Sequence, residues 1–465
     1  VMEEAENRFT GNNTTDGVAI DGNSDGSANI TYLSRENFEG TFPSELGDNR
    51  AMTDAIKALN LYTSEHANAW DAAHDNGEVT FGNSSMLVYE NGNINQLGKE
   101  LGMNYDDPRW EQLLDVIPKA TMELVVLHGY THTEKITNIG KPETLDVDGP
   151  NQIFSFTGSH PEATGFSSIV LAQSWNDQLA YSMGLAFGEE YNAYGVQGWY
   201  GPGVNVHRSP FGGRNYEYYS EDAYLSGIMC AKTVEAAKNK GVFAWLKHLC
   251  LYEGESGRDG MYTWVTEQAL REIYLRPFEI AVKQGGSNAI MTSYGRIGAV
   301  WTGGSEALLT EVVRGEWGFK GSFLTDYADH HDFMNGDQMV RAGGDVWMDW
   351  WTQASGGGAW QFNTTSNAFN RSLRNATKNV IYTWLNSLAT NADYNEKILS
   401  GEIKDTISIP KSPELKFRWY IPVLVVVDVL LAAGAGVLIF LGIKKKDSVA
   451  PAEVVSGEPD TPANE

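Results

Sequence analysis

Three short apolar runs, each closed by polar residues, constrain this chain more than any other feature. They are FAWLKH (Phe243–His248), AIMTSYGR (Ala289–Arg296) and SFLTDY (Ser322–Tyr327). Short runs rich in branched and aromatic side chains read as buried strands. Two more strand-like stretches, Val196–Tyr200 and Asp345–Met348, flank them, and segments of helical spacing separate them: Gln173–Tyr194, Ala223–Asn239, Thr266–Gln284 and Ser305–Trp317. Helices alternating with short apolar strands build β/α units on a parallel sheet. Two architectures satisfy that order, an open doubly wound sheet and a closed barrel. Polar residues ending several successive strands favour the barrel, because a β/α barrel gathers its chemistry at the C-terminal face of the strands. The expected fold class is therefore α/β, a TIM-like (β/α)8 barrel over residues 105–390. Its entry is a helix signalled by Asp-Asp-Pro in YDDPRWEQLLDVIPKATMELVVLHG (Tyr105–Gly129). Residues 1–104 read as a partial N-terminal region and linker, and 391–418 as a polar juxtamembrane linker.

The chain's 465 residues hold one large domain with appendages. A net charge of −26 excludes nucleic acid as a partner, since phosphate contact needs a basic surface. Two cysteines, Cys230 and Cys250, cannot make a disulfide framework. There is no Cys-x-x-Cys, and the His128/His132 pair has no Glu between its members, so neither a metal nor a cofactor is expected. The stretch WYIPVLVVVDVLLAAGAGVLIFLGI (Trp419–Ile443) is 25 residues long with one charge, Asp428. It reads as a single transmembrane helix. Trp419 and Tyr420 sit at one end as interfacial anchors, and Lys444–Lys446 at the other favour a cytoplasmic tail over 444–465. The expected partners are thus a lipid bilayer and a ligand outside the cell, with the large domain extracellular.

The nature of that ligand is suggested by GPGVNVHRSPFGGRNYEYYSEDAYLSG (Gly201–Gly227). It sets two Arg, two Asn, three acidic side chains and four Tyr among turn-forming Gly and Pro. Such a density of hydrogen-bonding groups suits a concave site for a polyhydroxylated molecule, a carbohydrate. Asp326 ends an apolar strand and is held rigidly beside Tyr327, as befits a carboxylate nucleophile at an anomeric carbon, or a strand-end Asp that caps the following helix. Lys247 and His248 end another strand, where they can bond vicinal hydroxyls; neither is buried without partners. Asp148, at the DVDGP turn, can accept two hydroxyl hydrogen bonds, or be a plain turn residue. Arg208 and Tyr294 occupy similar strand-end positions. Glu217, Glu221 and Asp222 read as ion-pair support for Arg208 and Arg214. Trp301, Tyr327 and Trp347 are the aromatic candidates for stacking on a sugar ring.

With these residues in hand, the stretch from Tyr105 to Asn386 resembles the barrel domain of glycoside hydrolase family 3, the β-glucosidase family. The resemblance rests on seven blocks in the family's order. These are DGP, GPGVNVHRSPFGGRNYEYYSED, KH, RDGMYTWVTEQALREIYLRPFE, IMTSY, GEWGFKGSFLTDY and NGDQMVRAGGD. It implies a retaining mechanism with Asp326 as nucleophile and with Asp148, Arg208, Lys247, His248 and Tyr294 holding the sugar. The position of NITYLSRENFEGTFP (Asn29–Pro43) before the barrel is similar to the permuted branch, which implies an upstream α/β sandwich domain. In the family that sandwich usually supplies the acid/base Glu; a barrel-only branch uses a loop His instead. The loop KHLCLYEGESGRDG has no second His, so the acid/base is not identified in this chain. The expected function is a membrane-anchored retaining β-glycosidase. The alternative is a carbohydrate-binding barrel that does not hydrolyse.

Overall fold

A computed structural model describes residues 7–9, 14–15, 18–19, 33–35, 58, 61–149, 153, 165–255, 257–328, 333–355, 359–403 and 420–447. Pro150, Phe154, His330, His331, Trp419 and most of Asn29–Pro43 lie outside the described residues. The chain divides into two units, 1–407 and 408–465.

The larger unit is built on five parallel strands: β1 (Asp146–Asp148), β2 (Gly198–Tyr200), β3 (Phe243–Leu249), β4 (Ala289–Thr292) and β5 (Ser322–Leu324). They lie side by side in the order β5-β4-β3-β2-β1. Register puts Asp148 opposite Tyr200, Gly198 opposite Phe243, and Ala289 between Trp245 and Ser322. Each crossover is helical. α1 (Asp177–Ala193) follows β1, α2 (Ala223–Asn239) follows β2, and α3 (Arg276–Gly285) follows β3. Ala307–Glu316, between β4 and β5, coils as a π-helix. The expected strand at Asp345–Met348 is reduced to a single parallel bridge, Val346 to Leu324. Backbone bonds nevertheless continue past that bridge. Trp347 N–H donates to Val126 O at 2.7 Å, Gly129 N–H to Trp347 O at 3.0 Å, and Asp146 N–H to Thr131 O at 2.9 Å. The outcome is an α/β fold with a parallel sheet of five strands among the described residues, where eight were expected.

Both faces of the sheet are covered, and the alternation along each strand shows it. Ala244 and Leu246 join Trp199, Ile290 and Phe323 in one apolar cluster with Phe187, Val234, Phe278 and Val312 of the crossovers. Phe243 and Trp245 join Tyr200, Met291 and Leu324 in the other. That second cluster is completed by Val126, Val380 and Leu385, the last two from the long helix α4 (Asn367–Leu399). The short helix Gln96–Met103 packs onto this helix. Asn386 Nδ2 donates to Gly102 O at 2.7 Å, and a Cβ on Gly102 would meet Leu385 O at 2.6 Å. Gly321 leads into β5 with φ +146°, and a Cβ there would stand 2.0 Å from Asn288 O. Only glycine fits, and the strand that ends at Asp326 enters the sheet through it.

In the second unit, Tyr420–Asp447 forms a helix of 28 residues, α5. Side chains are described without interruption only over 426–437. Among the described residues no helix is long and apolar enough to cross a membrane.

Candidate active site

The C-terminal ends of β1, β3, β4 and β5 carry Asp148, Lys247 with His248, Tyr294 and Asp326 in turn. β1 and β3 are separated by β2, so Asp148 and Lys247 approach across it. Lys247 Nζ donates to Asp148 Oδ1 at 2.7 Å. The ammonium is 3% exposed, and its second carboxylate, Glu217 Oε2, lies at 3.9 Å. Asp148 Oδ1 also accepts from Gly149 N–H at 2.7 Å, a geometry that uses the positive φ of Gly149, +108°. Burial by itself would raise the Asp148 carboxyl, but Lys247 and the Gly149 N–H outweigh it and hold the group below its ordinary value.

Beside Lys247, His248 is fully buried. Its Nδ1 lies 3.3 Å from the Tyr218 hydroxyl, and its ring stacks on Tyr252 at 4.7 Å. Burial, with Arg214, Lys247 and Arg258 nearby, pushes its pKa well below the ordinary value, so the ring is neutral at pH 7. Its Nε2 sits 3.8 Å from Asp326 Oδ2, a contact between a neutral ring and a carboxylate, not an ion pair. Asp326 Oδ1 accepts from Tyr327 N–H at 2.8 Å, while Oδ2 is buried with no hydrogen-bond partner within normal bonding distance among the described residues. Burial raises the Asp326 carboxyl to about 6, against the pull of Arg214, the Tyr327 N–H, Lys247 and Arg258. Tyr294 bears on the same carboxylate; burial and Asp326 push its phenol up, so it stays a neutral donor.

The structure therefore brings together Asp148, Lys247, His248, Tyr294, Asp326 and Tyr327. Arg208 is placed differently. It bears on Glu253 and Tyr274, and the arginines around Asp326 are Arg214 and Arg258. Arg214 pairs closely with Glu217 and lies over the Tyr252 ring at 5.3 Å. Arg258 lies over the Tyr294 ring at 4.8 Å. Gly212 and Gly213 make this loop contact possible, since a Cβ on Gly213 would meet Glu255 Cβ at 2.8 Å. Of the three acids expected to support arginines, Glu217 does so. Asp222 instead caps α2, accepting from Tyr224 and Leu225 N–H at 2.8 and 2.9 Å. Trp301 is buried behind the site with Nε1 donating to Ser293 O at 2.9 Å, and Trp347 is buried in the core. Arg214 and Arg258 lie in loops without strand periodicity; the run GGRN marked one of them only as a turn.

Against known proteins, the match is specific. Residues 144–350 match the glycosyl hydrolase family 3 N-terminal domain. Over 238 residues the chain is 35% identical to a β-glucosidase of Ruminococcus albus, covering 50% of this chain and 25% of that protein. Among solved structures, a β-glucosidase from Paenibacillus barengoltzii superposes with a TM-score of 0.56 at 26% identity, covering 69% of this chain and 37% of that one. β-Glucosidase 3B of Thermotoga neapolitana, solved in complex with glucose, superposes at 0.53 with 28% identity, covering 63% and 45%. The chain thus spans about a quarter of the curated relative's length and less than half of each solved chain. The matched segment, 144–350, contains every residue of the cluster around Asp326.

Asp326 has a consequence for stability. Its folded carboxyl keeps the proton up to about 6, against an ordinary value of 3.8. The folded state therefore binds more protons than the unfolded state in that window, and this group's contribution to stability falls as pH rises from about 4 to 6. Asp326→Asn is expected to raise stability at pH 7.5 by ~1–3 kcal/mol, with the gain vanishing below about pH 4. Urea unfolding at both pH values checks this; a destabilised variant at pH 7.5 would contradict it.

Proposed function

We propose that this chain carries the sugar-holding barrel of a retaining β-glycosidase acting on β-glucosides or oligosaccharides. Asp326 is the nucleophile. One observation carries the reading: a buried carboxylate oxygen, Asp326 Oδ2, left without a hydrogen bond among the described residues, faces the Lys247–His248 strand end, which itself grips Asp148. In this reading Asp148, Lys247 and His248 bond the hydroxyls of one sugar. Arg214 and Arg258 keep Asp326 ionised above about pH 6 despite its burial. Asp326 attacks the anomeric carbon, the bond to the leaving oxygen breaks, and a glycosyl ester forms. The β-glucosidase names of the relatives support this choice of substrate, and they give no support to a non-hydrolytic binding barrel. The backbone bonds running from Leu324 through Val346 and Val126 to Asp146 support closure of the sheet into a barrel.

The leaving oxygen needs a proton. Among the described residues, the groups bearing on Asp326 are cations, rings and a backbone amide, not a second carboxylic acid. We assign the acid/base to a part of the protein other than this cluster, in line with an upstream sandwich domain. A positioned general acid contributes ~10²–10⁴-fold. This chain is therefore expected to release dinitrophenolate from its β-glucoside in a burst, while alkyl β-glucosides react slower than in a two-domain enzyme by about that factor. Stopped-flow absorbance and glucose assays read both. Alkyl glucosides turned over as fast as the activated substrate would place the acid within this chain.

The second element of the proposal is anchorage. Val426, Leu430, Leu431 and Val437 on α5 are exposed, and Lys444–Lys446 follow. The sequence run Trp419–Ile443, with one charge in 25 residues, supports a bilayer anchor with the site-bearing unit outside. The described part of α5 alone is not long and apolar enough to cross one. Protease added to intact cells is expected to release the family 3 segment; its full protection would refute the orientation.

A further inference from the structure

The peptide of His248 is clamped by Asn205, whose Oδ1 accepts from His248 N–H at 2.7 Å and whose Nδ2 donates to His248 O at 2.9 Å. With the backbone held, two aromatic rings set the imidazole. Tyr252 stacks on it with the planes 26° apart, and Tyr218 meets it edge-on, the ring centroids 6.4 Å apart and the planes at 75°. Gly203 gives Tyr218 room to lie there: a Cβ on Gly203 would stand 2.8 Å from two carbons of the Tyr218 ring. Gly203 is itself bridged to Lys247, and Val204 N–H donates to Lys247 O at 2.8 Å, so Tyr218 rests on the strand end that carries His248.

A neutral imidazole has one N–H and one lone pair, and what each nitrogen faces decides which of them carries the proton. His248 Nε2 faces Asp326 Oδ2 at 3.8 Å, and Nδ1 faces the Tyr218 hydroxyl at 3.3 Å. An ionised carboxylate only accepts, whereas a hydroxyl can donate or accept. A proton on Nδ1 would set the Nε2 lone pair against the carboxylate oxygen. It would also leave the Tyr218 hydrogen without an acceptor, since among the described residues this hydroxyl bonds no other group. A proton on Nε2 suits both ends. Burial raises the Tyr218 phenol well above its ordinary value, so it keeps the proton that it donates. We propose that Tyr218 is a positioning residue that donates to His248 Nδ1 and so fixes the tautomer with the proton on Nε2, toward Asp326. This deepens the reading of the Lys247–His248 strand end as the grip on the sugar and rests on it. In this tautomer His248 offers the site a donor and no lone pair. It can hold the oxygen of a sugar hydroxyl but cannot take a proton from a water, so it is a fixed contact and not the missing acid/base.

The test is nitrogen-15 magnetic resonance of the full chain with ring-labelled histidine, with His248 assigned through His248→Gln. It is run about two units above the Asp326 value of about 6, where that carboxylate is ionised and His248 is neutral. The parent is expected to show a protonated Nε2 and a bare Nδ1 whose resonance is shifted upfield by the bond from Tyr218. Tyr218→Phe is expected to move the Nδ1 resonance downfield, to that of an unbonded nitrogen. Tyr219→Phe is the control, since the Tyr219 hydroxyl bonds Thr233 Oγ1 at 3.4 Å instead; both ring resonances are expected to stay in place. In parallel, glucose affinity is expected to fall about three- to ten-fold in Tyr218→Phe and to hold in Tyr219→Phe. Should Tyr218→Phe fail to fold, the parent spectrum alone decides the tautomer. A proton on Nδ1 in the parent, an Nδ1 resonance that Tyr218→Phe leaves in place, or an unchanged glucose affinity in that variant overturns the proposal. Absent glucose binding in the parent, with the Tyr218-dependent resonance intact, would instead overturn the sugar-site reading and leave the Tyr218–His248 link standing.

Discussion

The site depends on one buried cation. Lys247 brings an ammonium almost wholly out of water, and a charge so placed is tolerated only when carboxylates meet it. Asp148 meets it at 2.7 Å and Glu217 at 3.9 Å. These partners come from different parts of the chain, β1 and the loop after β2, so the pair ties the strand register to the loop. Breaking a buried pair by removing one partner costs about 3–5 kcal/mol. Glu217 is shared further with Arg214, and through it the loop is set against Tyr252 and, by way of Tyr252, against His248. The same cation has two electrostatic effects next door: it helps to keep His248 neutral and draws Asp326 back toward ionisation.

That balance is what a carboxylate nucleophile requires. Burial pushes the Asp326 carboxyl up, and three cations and one backbone N–H pull against it, leaving it at about 6. A neutral imidazole at 3.8 Å adds a polar contact without a full charge that would quench the carboxylate. The arrangement is costly to the folded state and useful to the chemistry, the usual tension at sites where pKa values are displaced.

Much of this was legible in the sequence for a physical reason. Lys247, His248 and Asp326 each follow an apolar run, and a strand that is buried on both faces leaves its polar residues at its end; Asp148 is marked instead by the DVDGP turn. Tyr294 and Tyr327 follow the same rule. The arginines were not legible in this way. Arg208 and Arg214 lie six positions apart in a loop with no period, so nothing local tells which one turns toward Asp326 and which toward Glu253. Trp301 and Trp347 look like stacking residues in sequence, yet their size is spent on the core. At Asp345–Met348 the only regular bridge among the described residues is Val346 to Leu324, while the Asp345 side chain turns to Arg314 and Asn379. Val346 N–H nevertheless donates to Phe323 O at 2.9 Å, and Val346 O accepts from Thr325 N–H at 3.0 Å.

The central claim is that Asp326 attacks an anomeric carbon, and covalent trapping tests it most directly. The full chain is incubated with the dinitrophenyl 2-deoxy-2-fluoro-β-glucoside, whose leaving group needs no proton and whose fluorine slows breakdown of the ester. Peptide mass spectrometry then locates the label. The account predicts one fluoroglucosyl group on Asp326 and none in Asp326→Asn. A label on another carboxylate, or none on a chain that still binds glucose, would contradict it.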